Sequence, residues 1–282
     1  MKDQQTNKSY LLFIALTAAL GGFLFGYDTA VISGTISFVK AKFALDAAME
    51  GWFVSSALVG CIAGVSIAGE LSDRLGRKWA LIGSGLLFSI SALGCAISAS
   101  HAELIVFRLL GGVGVGVASM LSPLYISEVS PAKIRGRMVA LYQFAITLGI
   151  LFAYFFNAWL LKNSSGVELQ NALLHNIFAE EVWRAMFGSE MLPAMLFFIT
   201  MFFIPESPRW LASKGKNQKA AVILTRINGS SSAEKELLSI NETIAKEEKG
   251  SWKTLLRPGI RVAMFAGIIL AILSQFTGIN AI

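Results

Sequence analysis

Three ionisable side chains stand inside long apolar runs. They are Asp28 in Phe25-Gly26-Tyr27-Asp28-Thr29, Arg108 in Phe107-Arg108-Leu109, and Glu190 in Gly188-Ser189-Glu190-Met191. A charge at the centre of a spanning helix costs roughly 2.5–3.5 kcal/mol on insertion scales, so three facing lipid would cost about 9 kcal/mol. They must therefore face one another or water. One reading is a structural ion pair between Arg108 and Glu190. The other counts charges: two acids share one base, and a spare carboxylate in a low-dielectric cavity can take up a proton. That arrangement suits proton-coupled transport. Amides and hydroxyls at helical spacing add a second chemistry. Gln143, Thr147, Tyr154 and Asn157 fall within about 80° of arc, and Thr17, Gly21 and Thr35 within about 20° of Asp28. Such groups match the donors and acceptors of a sugar, and they also serve as hydrogen bonds between helices.

Residues of this kind need a spanning scaffold, and the composition supplies one. Of 282 residues, 55% are hydrophobic and 15% charged, against about 25% charged in soluble domains. A disordered chain, a disulfide scaffold and a soluble enzyme of ordinary composition are excluded. Apolar runs bounded by charge fall at 10–36, 51–71, 79–99, 103–125, 138–160, 185–204 and 262–282, near the roughly 20 residues that cross a bilayer. The expected fold is all-α and integral to the membrane. The first run is too long for the apolar region of a cleaved signal peptide, so it is kept.

Orientation follows from Lys and Arg. Lys2, Lys8, Arg74, Arg77, Lys78, Lys133, Arg135 and Arg137 share one set of connections with the basic 205–260 segment, and the other set holds only Lys40, Lys42 and Lys162. The amino terminus and the 205–260 loop are expected to be cytoplasmic, at the plasma membrane. The net charge of +6 is thus topological and does not imply nucleic acid. Cys61 and Cys95 sit in apolar runs without a CxxC pair, and His101 and His175 are isolated. No metal, cofactor or enzyme activity is expected. Gly112-x-x-x-Gly116 reads as close helix packing. The domains expected are a six-helix bundle over 1–204, a linker with short helices over 205–260, and the first helix of a second bundle over 261–282. The apolar run from Met264 reaches Ile282 without a flanking charge, so the sequence reads as a piece of a longer protein.

The connection after the second span, Gly69-Glu70-Leu71-Ser72-Asp73-Arg74-Leu75-Gly76-Arg77-Lys78, resembles the GxxxDRxGR[RK] signature of the major facilitator superfamily. Phe25-Gly-Tyr-Asp28, Pro123-Leu-Tyr-Ile-Ser-Glu128, Arg135-Gly136-Arg137, Pro205-Glu-Ser-Pro-Arg209-Trp210 and Gln275-Phe-Thr-Gly-Ile-Asn280 narrow the likeness to its sugar porters. Bacterial proton-coupled symporters of the xylose type are the most similar. The resemblance implies twelve spans in two six-helix bundles, with the substrate near the midplane between them. It implies sugar contacts from Gln143, Gln275 and Asn280, with Phe25 as a cavity aromatic. It implies Asp28 as the proton-linked carboxylate, with Arg108 and Glu190 as its partners. Gly69, Asp73, Arg74, Gly76, Arg77, Glu128, Arg135, Arg137, Glu206 and Arg209 match the network that latches the outward-facing state.

Ser274 stands where the family usually has a first glutamine before Gln275, so the sugar itself stays open. Gln275 and Asn280 lie about 140° apart on a regular helix and meet one ligand only if it unwinds near Gly278. The expected function is proton-coupled symport of a monosaccharide, a xylose-like pentose or a hexose, by alternating access. The alternatives are a sugar facilitator, a polyol or inositol symporter, and a non-transporting sugar sensor. The expected partners are sugar, protons and the bilayer, with no obligatory protein partner.

Overall fold

Long runs of Leu, Phe, Ala and Ile between polar caps make helices, and every regular element among the described residues is helical. The structure is a computed structural model that describes residues 7–164, 180–246 and 260–276. Helix α1 (Lys8–Phe43) starts where Asn7 Oδ1 accepts from Tyr10 N at 3.0 Å. Asp46 caps α2 (Ala47–Leu75) in the same way, through Met49 N at 2.8 Å. After α3 (Arg77–Ile97), α4 (His101–Val129) opens on Ser100, and the Glu103 carboxylate reaches back to Ala99 N at 2.8 Å. That reciprocal pattern satisfies donors a helix start would leave orphaned. Helix α5 (Arg135–Ser164) follows.

The sixth span is divided into α6 (Val182–Ser189), α7 (Met191–Thr200) and a 3₁₀ turn (Met201–Phe203). Its break at Glu190 has a chemical cause. Pro193 has no N–H to return to the Ser189 carbonyl, so the regular ladder fails there. Among the described residues, six segments are long and apolar enough to cross a membrane. Most of them outrun the apolar runs because helix continues past the hydrocarbon: α1, with 36 residues, spans about 54 Å at 1.5 Å per residue.

Glycines set how closely these helices pack. A Cβ on Gly112 or Gly116 would sit 2.1 and 2.2 Å from the carbonyls of Ala57 and Cys61 on α2. Gly60 and Gly64 of α2 return the contact, at 2.2 and 2.3 Å from the carbonyls of Leu109 and Val113. The Gly112 and Gly116 spacing is packing, as its sequence suggests. Helices α1 and α5 use the same device, through Gly26 against Ile146 and Gly149 against Phe23.

The stripe read beside Asp28 turns inward to helix contacts. Thr17 and Thr35 are buried, Thr35 Oγ1 donates to its own Ile32 carbonyl at 2.9 Å, and Gly21 abuts Ser122. Asn157 is buried too, and its Nδ2 donates to the Val31 carbonyl at 3.2 Å. Of the four polar positions on α5, Gln143, Thr147 and Tyr154 are exposed.

The first compact unit runs Met1–Leu237 and includes helices expected in the linker. Helices α8 (Pro208–Ser213) and α9 (Asn217–Asn228) bury Leu211, Leu224 and Ile227. The Asn7 N–H donates to the Ile227 carbonyl at 2.9 Å, and Arg226 lies 4.1 Å from the Tyr10 ring centre. Apolar residues at helical spacing thus make this part of the loop a packed collar. Helix α10 (Ser230–Lys246) crosses into the second unit, Leu238–Ile282, which also holds α11 (Ile260–Phe276).

The carboxyl-terminal ends of α1 and α3 are clamped to the sixth span. Lys42 and Arg184 both bond the Glu181 carboxylate, and Arg184 Nη1 also donates to Ala96 O and Ser98 O at 3.0 and 2.7 Å. Burial works to raise the Glu181 carboxyl, but the bonds from Lys42 and Arg184 outweigh it and hold it below the ordinary carboxylate value. A lowered folded value adds stability above the unfolded pKa and loses it as pH falls through the folded one. Glu181→Gln is therefore expected to cost about 1–2 kcal/mol at pH 7 and to flatten the loss of thermal stability on acidification below about pH 4.

Candidate functional site

Arg108 lies on α4, one helical turn before Gly112, at the level where α2 comes closest. Its side chain is 3% exposed, and Nη1 stands 3.7 Å from Asp28 Oδ1 on α1. Nε donates to the Phe53 carbonyl of α2 at 3.3 Å. The guanidinium carbon lies 5.4 and 5.6 Å from the ring centres of Phe53 and Phe187, which meet edge to face at 83°. Carboxylate, carbonyl and two ring faces replace the water this cation has lost.

Glu190 sits in the break of the sixth span, within reach of the fields of Asp28 and Arg108. It is buried at 4% exposure, and its Oε1 has no hydrogen-bond partner among the described residues. The base thus pairs with Asp28, and the Arg108–Glu190 ion pair is not formed. Asp28 on α1 is the acid within ion-pair distance of Arg108 on α4, while Glu190 stands where the helical ladder of the sixth span is interrupted ahead of Pro193. The spare carboxylate is Glu190.

A hydroxyl pair beside the carboxylates fixes this geometry. Tyr27 Oη and Ser189 Oγ are 2.7 Å apart and buried, and each precedes one of the acids. Ser189 donates its own proton to the Met186 carbonyl at 2.5 Å. Tyr27 must therefore donate to Ser189, which ties α1 to the sixth span.

The expected sugar contacts are spread over both units. Phe25 is half-buried against the main core of the first unit, and Gln143 is exposed on α5. Gln275 lies on α11 in the second unit, and Asn280 lies outside the described residues.

A second constellation gathers where α2 turns into α3. Arg77 holds Glu128 of α4 with two bonds, Nε to Oε2 at 3.0 Å and Nη2 to Oε1 at 3.2 Å. Its Nη1 donates to Asp73 at 3.0 Å. The Glu206 carboxylate accepts from the backbone N–H groups of Arg77, Lys78 and Ser207, at 3.0, 3.1 and 2.8 Å, and so caps α3. Burial nonetheless pushes the Glu206 carboxyl above its ordinary range. Ser207 donates to Glu128 at 2.6 Å, Tyr125 to Pro205 O at 2.7 Å, and Trp210 Nε1 to Asp73 O at 3.1 Å.

Membership of this network differs from the motif reading at Arg74, Arg135 and Arg137. Arg74 turns to Glu70 one turn back on the exposed face of α2, at 2.5 Å. Arg135 folds onto the Ser130 carbonyl, closing the α4–α5 connection. Arg137 makes no ion pair among the described residues, and Arg209 is the second residue of α8. Ser207, Tyr125 and Trp210 are the members that residue-by-residue reading passed over, although all three lie inside the quoted motifs. Phe53 and Phe187 carried no sequence signal.

The motif's two glycines are not equivalent. Gly76 has φ of +101°, and a Cβ there would meet Glu206 Oε2 at 2.2 Å, while one on Gly69 would meet only Met120 at 3.8 Å. Gly76→Ala is expected to destabilise the protein by about 2 kcal/mol, seen as a lower thermal midpoint. Gly69→Ala should leave that midpoint near the parent's.

A family model described as sugar (and other) transporter matches residues 14–282. The arabinose-proton symporter of Bacillus subtilis is 43% identical over 276 residues, covering 98% of this chain and 58% of the relative. The D-xylose-proton symporter of Escherichia coli is 38% identical over 306 residues, covering 99% and 60%. The structure of the xylose transporter XylE from E. coli, in a partially occluded inward-open conformation, superposes with a TM-score of 0.81 at 37% identity. That match covers 96% of this chain and 65% of the solved one. The chain spans little more than half the length of the curated relatives it matches.

Proposed function

The chain belongs to the sugar (and other) transporter family, and we propose that the protein moves a monosaccharide together with a proton by alternating access. The observation that carries this reading is the trio inside the bundle, with Arg108 paired to Asp28 and Oε1 of the neighbouring, buried Glu190 left without a hydrogen-bond partner among the described residues. Three charged groups at helix contacts in an apolar bundle are costly to keep. Their charges can be redistributed by one proton: when Asp28 is protonated its pull on Arg108 weakens, and Arg108 is released toward Glu190. Because Asp28, Arg108 and Glu190 stand on three different spans, that redistribution changes how those spans attract one another. The Arg77–Glu128–Glu206 cluster at one end of the bundle favours one facing state, and a modest bias suffices to shift such an equilibrium.

The substrate contacts come from Gln143 and Phe25, with Gln275 and Asn280 from the second bundle. The amino terminus and the 205–260 loop lie in the cytoplasm of a cell whose plasma membrane holds the protein. The relatives described as arabinose- and xylose-proton symporters support a pentose as the first candidate sugar.

Counterflow of labelled sugars into vesicles bearing the full-length protein tests the reading. Xylose, arabinose, glucose, galactose and inositol form the panel. Saturable counterflow of at least one pentose or hexose is expected, and binding without counterflow for all of them would point to a sensor. Gln143→Ala is expected to weaken binding of the sugar so identified about 10- to 100-fold, measured by calorimetry. Parent-like affinity would remove Gln143 from the site.

A further inference from the structure

We infer that the groove between the amino-terminal ends of α1 and α5 seats the headgroup of an anionic phospholipid from the leaflet on that side of the membrane. The groove has a cavity of about 400 Å³, into which Lys8 of α1, Lys133 of the α4–α5 connection and Arg137 of α5 bring three cations. Leu12, Ile134 and Met138 line the rest of it. The chemistry is that of an amphiphile's polar end: basic groups at the rim, hydrocarbon beneath.

Charge complementarity argues for the occupant. All three cations are exposed, and among the described residues none of them forms an ion pair. Neither α1 nor α5 carries an acid in its first turn. Arg135 beside them is held by the Ser130 carbonyl and lies in the field of Glu236 on α10, outside the groove lining. This differs from the neighbouring basic residues, since Arg74 and Arg77 are both paired with carboxylates.

The next stretch of the same two helices suits an acyl chain. A second cavity of about 360 Å³ is lined by Phe13 and Leu16 of α1 and Phe144 and Leu148 of α5. Leu12 and Phe13, consecutive on α1, belong to one cavity each. A headgroup phosphate held by Lys8, Lys133 and Arg137 would send its chains along this apolar side of the helix pair. Basic pockets between spanning helices near the membrane surface recognise acidic lipids by this combination. A soluble anion would use only the first half of it.

The test uses the full-length protein in detergent, titrated with phosphatidylglycerol or phosphatidylcholine and read by native mass spectrometry. Retained phosphatidylglycerol, with no comparable retention of phosphatidylcholine, is expected. The combined variant Lys8→Gln/Lys133→Gln/Arg137→Gln should weaken that binding about a hundredfold. A control with equal charge loss, Lys214→Gln/Lys216→Gln/Lys219→Gln, should leave it within twofold. Equal loss in the control would show a diffuse surface attraction and overturn the site, as would full retention by the groove variant. A second measurement keeps the charges intact: phosphatidylglycerol with a photoreactive acyl chain is cross-linked to the parent protein. Labels on peptides carrying Leu12, Phe13 or Phe144 are expected. Labels confined to other helices would overturn the proposal, and so would displacement of the lipid by millimolar inorganic phosphate with no acyl labelling at all.

Discussion

Replacing Asp28 by Asn in the full-length protein will abolish uphill, pH-driven sugar accumulation and leave sugar binding in place. Asparagine keeps the size and much of the hydrogen bonding of the aspartate but removes its titration. Arg108, whose Nη1 lies 3.7 Å from Asp28, then has a permanently neutral neighbour. The state of α1, α4 and the sixth span no longer depends on a proton at that position. Counterflow, which needs movement of the loaded carrier but no net proton flux, is expected to survive. The measurement is uptake under an imposed pH gradient beside sugar binding on the same membranes, with the accumulation ratio falling to about one. Unchanged accumulation would take Asp28 out of coupling. Loss of binding would make it a sugar ligand or a residue required for folding.

Gly112→Val will prevent α2 and α4 from closing on one another. A Cβ at this position would lie 2.1 Å from the Ala57 carbonyl and 3.0 Å from the Cys61 amide nitrogen. Both are backbone atoms, so no side-chain rotation relieves the clash and the helices must move apart. Overpacking of this kind costs about 3 kcal/mol or more. Arg108 is one turn away, so its bond to the Phe53 carbonyl and its approach to Asp28 are lost in the same movement. Gly83→Val is the matched control, because a Cβ on Gly83 meets nothing within 4 Å. The Gly112 variant should show a much lower thermal midpoint or no monodisperse protein, and the Gly83 variant should behave like the parent. Equal stability of the two would mean that α2 and α4 are less closely packed than the carbonyl contacts require.

What the sequence disclosed follows from how local each signal is. Asp28, Arg108 and Glu190 are legible because charge inside an apolar run has few physical outlets. Which acid takes the arginine is not legible, because it depends on how closely α1 and the sixth span each approach α4. Gly112 and Gly116 are legible as packing from their four-residue spacing alone. Asn157, Thr17 and Thr35 are legible as an inward-facing stripe but not as sugar contacts or helix contacts, because helical arithmetic finds a shared face but not what covers it. The charge cluster shows the same limit: Arg74 and Arg77 look alike in the motif, yet only Arg77 reaches across to Glu128. The bonds from Lys42 to Glu181 and from Arg184 to the Ala96 and Ser98 carbonyls join residues far apart in sequence and gave no signal.

Joint movement of sugar and proton is tested by adding the transported sugar to lightly buffered vesicles bearing the full-length protein and following the external pH. Alkalinisation that begins with sugar entry, saturates with it, and is absent for a sugar outside the panel's substrates is expected. Saturable entry of labelled sugar with no change in external pH would contradict it, and would make the protein a facilitator.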